Sequence, residues 1–411
     1  MRKIKFVHLS DIHIGLETHG RINPATGRNT RLEDILRCLD HAVYTAIEES
    51  ADLILIAGDI FHRENPRPTE EIEFARRIVR VSGETGARVV IVLGNHDYPT
   101  AGGRASAVEI FPALDVEGVT IVRKPELITL ETKSGPVQIA CLPWAGRSAL
   151  LTRDEYKTLG FEELRYEIEK RLVGIVRDFA DKSDKSSPLI FLGHVAMRDA
   201  KLSGTEIDTL SLSDPALSVG ELANSEFVYS ALGHIHRFQD LNKGASPPIV
   251  YSGSLERIDF TEEKEKKGFV LGEITGGEEG WNAAYSFVET PARKFLTIEL
   301  EGGEESADAE SVIGGISPGD IEGAVVRLRY SVSGPDEKLD EREIKRLLSA
   351  AHSVKIQRVF TNPVKAVRHA GLSRTMGVLE ALDKYIESKP ELKNISGDMK
   401  AYAQKLIKDT E

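Results

Sequence analysis

Five short apolar runs in this chain end in the same way, and that recurrence constrains the fold more than any other feature. Residues 4–9 lead into "SDIHIG", 53–57 into "AGDIFH" and 88–93 into "LGNHDYP". Residues 189–193 lead into "LGHVAM" and 228–232 into "LGHIHRF". Each run is short and rich in Ile, Val and Leu, which reads as a buried strand. Each then turns at a small residue and presents Asp, Asn or His. Sheet enzymes collect ligand-binding groups at the carboxyl ends of their strands. Asp11 and His13 are two apart, so in an extended segment both face the same side. Six of the eleven histidines lie in these five turns. Histidines scattered through a core would have no reason to follow glycine at strand ends, so the pattern reads as a metal site.

With 411 residues, 41% of them hydrophobic and 29% charged, the chain is long enough for two or three units. Its apolar runs are strand-length, so no membrane span is expected. The basic start "MRKIKFVHLS" alternates in polarity and lacks the features of a cleaved leader. Cys38 and Cys141 are isolated, without metal-type spacing, and suit small core positions in a reducing cytoplasm. The net charge of −12 gives no support for an autonomous nucleic-acid binder. It leaves a nuclease open, because metal-holding carboxylates count as negative until the ions arrive. DNA would then be held by local basic loops or by a partner.

Between the strands, "TRLEDILRCLDHAVYTAIEES" and "TEEIEFARRIVRVSGE" carry helical spacing, with Thr69 as the expected cap of the second. Continuous apolar strands alternating with helices make an α/β sheet covered on both faces. Strands follow one another over 119–142 and 227–289. Residues 1–293 therefore read as a mixed sheet or two-sheet sandwich flanked by helices. Residues 294–362 read β-α-β-α-β, a small α+β domain. A linker is expected at 363–373 and a helical tail at 374–411. The tail carries one stripe of Met376, Leu379, Leu382 and Ile386 and another of Met399, Tyr402, Ala403, Leu406 and Ile407.

The five turns resemble the calcineurin-like metallophosphoesterases, whose pattern is D-x-H, G-D, G-N-H, G-H and G-H-x-H. The resemblance implies a two-sheet metallophosphoesterase sandwich holding two divalent ions. It gives Asp11, His13, Asp59 and His236 to one ion and Asp59, Asn95, His194 and His234 to the other, with Asp59 bridging. Mixed carboxylate, imidazole and amide ligands suit Mn, Fe or Zn. His96, beside Asn95 and not needed as a ligand, is the candidate for meeting the phosphate or protonating the leaving oxygen. Protein Ser/Thr phosphatases carry G-D-x-x-D-R-G, whereas this chain has "GDIFHRE". Together with "YSGSLERIDFTEEKEKKGFVLGEI", this is similar to the SbcD family, the nuclease component of the bacterial SbcCD complex. That similarity implies a manganese-dependent DNA exonuclease on double-stranded ends and endonuclease on single-stranded or hairpin DNA, acting in repair and recombination. It also implies that His62 orients the substrate phosphate and His96 is needed for cleavage. The small domain would cap the site, the chain would form a homodimer, and the tail would dock on a coiled-coil ATPase of the SbcC type. Surfaces at 69–82 and 104–113 are candidates for the dimer.

Two other readings stand beside this one: a phosphoesterase of small molecules, and a metal-stabilised scaffold. The domain after 294 and the tail weigh against the first, and the intact ligand set against the second. Arg21, Arg28 and Arg31, beside Asp11 and His13, are candidate DNA-backbone contacts, the alternative being a solvated loop. His8, His19 and His41 read as core or surface residues and Trp144 as packing. "EEKEKK" at 262–267 reads as a solvated charged turn.

Overall fold

The structure, a computed structural model, describes residues 2–99, 104–144, 160–202, 215–223, 226–277, 280–300, 313–332, 340–360, 378–387, 392 and 395–408. Strands β1 (Arg2–Leu9), β2 (Leu53–Ile56), β3 (Arg88–Val92) and β4 (Val119–Val122) lie side by side in parallel. The chain then enters a second sheet through the hairpin β5 (Glu126–Thr132) and β6 (Gly135–Leu142), with β7 (Leu189–His194) parallel to β6. Two short strands, β8 (Ala196–Met197) and β9 (Ala216–Leu217), pair apart from it. β10 (Phe227–Gly233), β11 (Gln239–Asp240) and β12 (Ile249–Tyr251) complete the second sheet. β13 (Gly268–Gly277) and β14 (Gly280–Glu289) return as a hairpin to the edge of β1. The sheet orders are β14-β13-β1-β2-β3-β4 and β11-β12-β10-β7-β6-β5.

Alternation of side chains along each strand sets the layers. Phe6, Leu53, Leu55, Val90 and Val92 face Ile139, Cys141, Ile190, Leu192 and Ala231 between the sheets. The opposite face of the first sheet, with Val7, Leu9, Ile54, Ile56 and Ile91, packs on Ile35, Leu39, Phe74 and Ile78. Those residues belong to helices α1 (Thr30–Glu48) and α2 (Pro68–Thr85). Beyond the second sheet, Ala140, Leu142, Phe191 and Leu232 meet Ile168, Leu172 and Val176 of the helix Phe161–Lys182. The result is the helix-flanked two-sheet sandwich expected from the sequence. Both cysteines are buried free thiols.

Local chemistry sets the helix starts. The Asn29 side chain accepts the Arg31 N–H at 2.9 Å and caps α1. Thr69, expected to cap α2, lies inside its first turn. The cap is Arg67, because Pro68 presets the backbone at the first helical position. Glu70 then reaches back to the Arg67 N–H at 2.8 Å.

Arg31 also departs from expectation. It is fully buried, and its guanidinium is spent on Asp34 at 3.3 Å, Glu256 at 3.6 Å and the Arg257 carbonyl. Asp34 in turn holds Arg293 through two contacts of 2.5 and 2.6 Å. Burial alone would raise the Asp34 carboxyl, but Arg293, Arg31 and Arg37 hold it below its ordinary range. A guanidinium locked in this way cannot meet a DNA backbone. It ties α1 to residues 256–257, which follow the last histidine turn.

The chain divides into two compact units. The first comprises Met1–Ile298, Ile316–Arg327 and Leu347–Lys355, and the second Glu299–Gly315, Leu328–Arg346 and Ile356–Glu411. A three-stranded sheet has the order β15 (Phe295–Leu300), β16 (Val325–Val332) and β17 (Ser353–Phe360). Two helices, Val378–Glu387 and Ser396–Lys408, lie in the tail, joined by a Lys400–Asp383 ion pair at 2.7 Å. Ile386 is buried and Tyr402 exposed. The expected linker at 363–373 and Met376 lie outside the described residues.

Removing one member of a buried ion network strands its partners. Asp34→Ala should cost about 3–5 kcal/mol, while Arg37→Ala, which removes a half-exposed partner, should cost under about 1 kcal/mol. Urea unfolding of the two variants checks this. An Asp34→Ala midpoint close to wild type would show that the network does not hold α1.

Candidate metal centre

The carboxyl ends of β1, β2, β3, β7 and β10 emerge where the five turns bring their polar residues together. The backbone there is unusual. Asp11, His13, Asp59 and His234 have φ of 50°, 51°, 54° and 103°, a region that side chains other than glycine rarely enter. Such positions cost of the order of 1–3 kcal/mol each and persist only where the surroundings over-determine them. The chains also approach closely. A Cβ on Gly94 would lie 2.1 Å from Asp59 Oδ1, so only glycine fits.

Asp97 supplies the over-determination. Its buried carboxylate accepts the backbone N–H groups of Asp59 at 2.8 Å, Ile60 at 3.0 Å and Gly94 at 2.9 Å. The β2 and β3 turns are thereby fixed to one anchor. Burial and nearby Asp59 still push its carboxyl up to about 7.

The side chains then converge. His194 Nδ1 donates to the Ala57 carbonyl at 2.7 Å, which leaves the lone pair on Nε2. That Nε2 lies 3.0 Å from Asn95 Oδ1 and 3.6 Å from Asp59 Oδ2. On the other side, His13 Nε2 is 3.9 Å from the same Asp59 oxygen and 3.2 Å from His236 Nε2. His234 Nδ1 is 3.2 Å from Asn95 Oδ1, and its backbone N–H donates to both Asp11 oxygens at 3.1 Å. Asp11 also accepts the Ser10 hydroxyl at 2.5 Å. Asp59 Oδ1 accepts the His96 backbone N–H at 2.9 Å. All seven expected ligand residues thus meet at one place, with Asp59 between His13 and His194.

The donor set fits divalent cations. Asp11, His13 and His236 bring ligand atoms within 4.8 Å of one another, as do Asp11, Asp59 and His194. His13 Nδ1 and His234 Nε2 are buried without a hydrogen-bond partner, and the lone pair of His194 Nε2 faces Asn95 Oδ1 and Asp59 Oδ2. Such groups could hold a cation between them. Burial, and then the neighbouring imidazoles, hold His13 and His234 well below the ordinary histidine range. They are therefore neutral near pH 7, the form that binds metal.

His62 and His96 sit at the rim, rings nearly parallel at 16° and 5.7 Å between centroids. His96 Nδ1 donates to the His62 carbonyl at 2.9 Å, which fixes the ring and frees Nε2. Burial, then His96, lowers His62 to about 4. Trp144 is half-buried, its ring 4.8 Å from that of His234. Arg21 is exposed and Arg28 pairs with Glu73 at 2.8 Å. His8 is a core residue, as expected, hydrogen-bonded to Tyr229 and the Leu232 carbonyl.

Two parts of the site are not evident from sequence patterning. Asp97 is one, although its place directly after "GNH" is a signal that could find it. The stretch at 262–267 is the other, and it is not simply a solvated turn: Glu262 is fully buried and Lys267 is 2% exposed. Glu262 Oε1 meets His236 Nδ1 at 3.0 Å, while its Oε2 takes Lys267 at 2.8 Å and the Ile258 N–H at 2.9 Å. A carboxylate behind a ligating imidazole fixes its tautomer and raises its basicity.

The calcineurin-like phosphoesterase family profile matches residues 4–238, which contain every residue of the cluster except Glu262 and Lys267. The chain belongs to that family. It is a metal-dependent phosphodiesterase, a hydrolase whose α/β sandwich is the metallophosphoesterase fold. It is 24% identical over 372 residues to the DNA double-strand break repair protein Mre11 of Archaeoglobus fulgidus, covering 87% of this chain and 75% of the relative. It is also 24% identical over 306 residues to Mre11 of Aeropyrum pernix, covering 73% of this chain and 64% of that protein. With the SbcD component of the SbcCD nuclease of Bacillus subtilis it shares 24% identity over 282 residues, 67% of this chain and 68% of the relative. Among solved structures, a dimetal phosphatase from Danio rerio aligns with a TM-score of 0.40 and 11% identity, covering 69% of this chain and 99% of that one.

Burial alone would raise the Glu262 carboxyl, but Lys267 and His236 hold it at about 2, below its ordinary 4.5. A depressed pKa contributes stability above the unfolded value and loses it as pH falls through the folded one. That contribution is on the order of 3 kcal/mol. Between pH 4.5 and 2, Glu262→Gln should therefore lose less stability than wild type. Unfolding curves measured across that window check this, and parallel curves would remove Glu262 from the account.

Proposed function

We propose that this phosphodiesterase is a DNA nuclease of the SbcD and Mre11 kind. It cuts double-stranded ends as an exonuclease and single-stranded or hairpin DNA as an endonuclease, with manganese as its ion. The observation that carries the reading is the length of the likeness. Alignment with a DNA repair protein runs over 372 residues, far past the phosphoesterase segment at 4–238. The further strands and tail are needless for a small-molecule phosphatase.

In this reading Asp11, His13, Asp59 and His236 hold one ion and Asp59, Asn95, His194 and His234 the other. Bound there, two divalent ions supply the charge that activates water and offsets charge on the phosphoryl oxygens. His62 orients the phosphate. His96, anchored through Nδ1, carries a proton on Nε2 to the leaving oxygen as the P–O bond breaks. With a net charge of −12, DNA is gripped locally, and Arg21 and Arg28 are the candidates. The domain at 294–362 selects which DNA is cut. The chain acts as a homodimer, for which exposed Ile72 and Val79 on α2, with Ile110 and Leu114, offer apolar surface. The tail docks on an SbcC-type ATPase in DNA repair and recombination. The proposed setting is cytoplasmic, as DNA is the substrate in this reading; separately, none of the described helices is long and apolar enough to cross a membrane.

Roles divide cleanly in two variants. His96→Ala should keep its metal and lose about 100-fold or more in cleavage rate. Asp59→Asn should lose metal and rate together. Metal analysis and cleavage of end-labelled duplex DNA, set against a chromogenic phosphodiester, decide it. Faster turnover of the chromogenic compound than of DNA would favour a small-molecule phosphoesterase.

Leu379→Glu places a charge in the apolar stripe of the first tail helix, at a half-buried position. The variant should lose association with the ATPase and ATP-dependent cleavage, while Mn²⁺-dependent cutting of short DNA remains. Pull-down and nuclease assays on one preparation test this. Undiminished association would show that the tail does not dock the partner.

A further inference from the structure

Cations that could meet a DNA backbone are scarce beside the centre, since Arg31 is locked in its buried network and Arg28 is paired with Glu73. A chain with a net charge of −12 must find its phosphate-binding groups elsewhere near the ions. One groove supplies them. It has a volume of about 750 Å³, runs beside β11, and has Arg237, directly after His236, in its wall together with Lys201 and Lys243. All three residues are exposed and make no ion pair among the described residues. The wall also holds Asp240 and Asp199. Asp240 is spent on its own surroundings, accepting the N–H groups of Asn242 at 2.9 Å and Gly244 at 2.8 Å and the Tyr285 hydroxyl at 3.0 Å. Asp199 accepts the Val219 N–H at 3.4 Å.

Hydrogen bonds fix the shape of the groove. Gln239 Oε1 accepts the Lys201 N–H at 2.8 Å and its Nε2 donates to the Lys201 carbonyl at 3.0 Å, which clamps the Lys201 loop to β11. Phe238 stacks on Phe287 with 4.2 Å between ring centroids. Just before Arg237, the His236 carbonyl accepts Lys267 Nζ at 2.9 Å and the Ser254 N–H at 3.0 Å. Arg237 therefore projects from backbone as firmly held as that of the metal ligand it follows.

We propose that this groove is a second DNA site, holding the phosphate backbone of the strand that runs away from the ions. The proposal rests on the nuclease reading and adds to it the surface that grips substrate beyond the cut. Free guanidinium and ammonium groups bind phosphates without reading bases, so the groove positions DNA and leaves sequence unread. With Asp240 turned to its own loop, the local field favours an anion although the whole chain is acidic. The clamp formed by Gln239 keeps Lys201 and the β11 edge at a set separation, so little order has to be imposed when DNA arrives.

The test reads binding and its salt dependence. Hydrolysis-resistant duplex DNA is titrated onto the Mn²⁺-loaded chain at several salt concentrations. Arg237→Gln, Lys201→Gln and Lys243→Asn should each lower the slope of log affinity against log salt by about one unit, equally for duplexes of different sequence. Asparagine is chosen at Lys243 because the backbone there has φ of 54°. Manganese content and the urea midpoint should match wild type in all three. As a control, Lys3→Gln removes the same charge at the amino end of β1, opposite the end that carries the ions, and should leave the slope unaltered. A fall in slope for Lys3→Gln as large as that of the groove variants would mean that bulk charge alone is at work, which overturns the proposal. Wild-type slopes in all three groove variants would overturn it too, while the nuclease reading stands if the wild-type chain cuts DNA. A wild-type chain that hydrolyses the chromogenic phosphodiester but neither binds nor cuts DNA removes the nuclease reading, and the role of the groove with it.

Discussion

The centre depends on one carboxylate that touches no substrate. Groups that repel one another, lone pair against lone pair and carboxylate against carboxylate, are held within a few ångströms on loops whose backbone is itself strained. Asp97 makes that possible by accepting N–H groups from both the β2 and β3 turns. Without it, those amides would be buried and unsatisfied, a loss of about 1–3 kcal/mol each. The turns would then be free to relax away from the geometry that a pair of ions needs.

The two sheets supply different parts of the centre, so their registration matters as much as either alone. Asp11, His13, Asp59 and Asn95 come from the first sheet and His194, His234 and His236 from the second. Between the layers, His8 of β1 donates through Nε2 to the Leu232 carbonyl of β10 and takes the Tyr229 hydroxyl on Nδ1. Burial pushes His8 down to about 3, so it stays neutral and uncharged in the core. This buried polar link lies three residues before Asp11 and two before His234. Arg31 performs a similar service from outside, tying α1 to the segment after the last histidine turn.

Much of this was legible in the sequence because strand ends advertise themselves. An apolar run, a glycine and a polar residue make a local pattern, and five of them in order leave few architectures. The layered sandwich and the seven converging residues follow from that pattern. What could not be read depends on tertiary surroundings. Glu262 and Lys267 sit in a stretch of six charges that looks solvated, and only the approach of His236 turns that stretch inward. Arg31 looks like a basic loop residue until Asp34, Glu256 and the Arg257 carbonyl surround it. Thr69 has the chemistry of a cap, but Pro68 settles where α2 begins.

The left-handed backbone at Asp11, His13, Asp59 and His234 also limits how this protein can change over evolutionary time. β-Branched residues cannot enter that region without severe cost, and alanine enters it poorly, whereas Asn, Asp, His and Gly tolerate it. Neutral drift at these four positions is therefore confined to a small set of residue types even after selection for chemistry is relaxed. A descendant that had lost its metal would still carry Asn, Gly or His at these turns. Its sequence would go on resembling that of an enzyme long after the ions had gone.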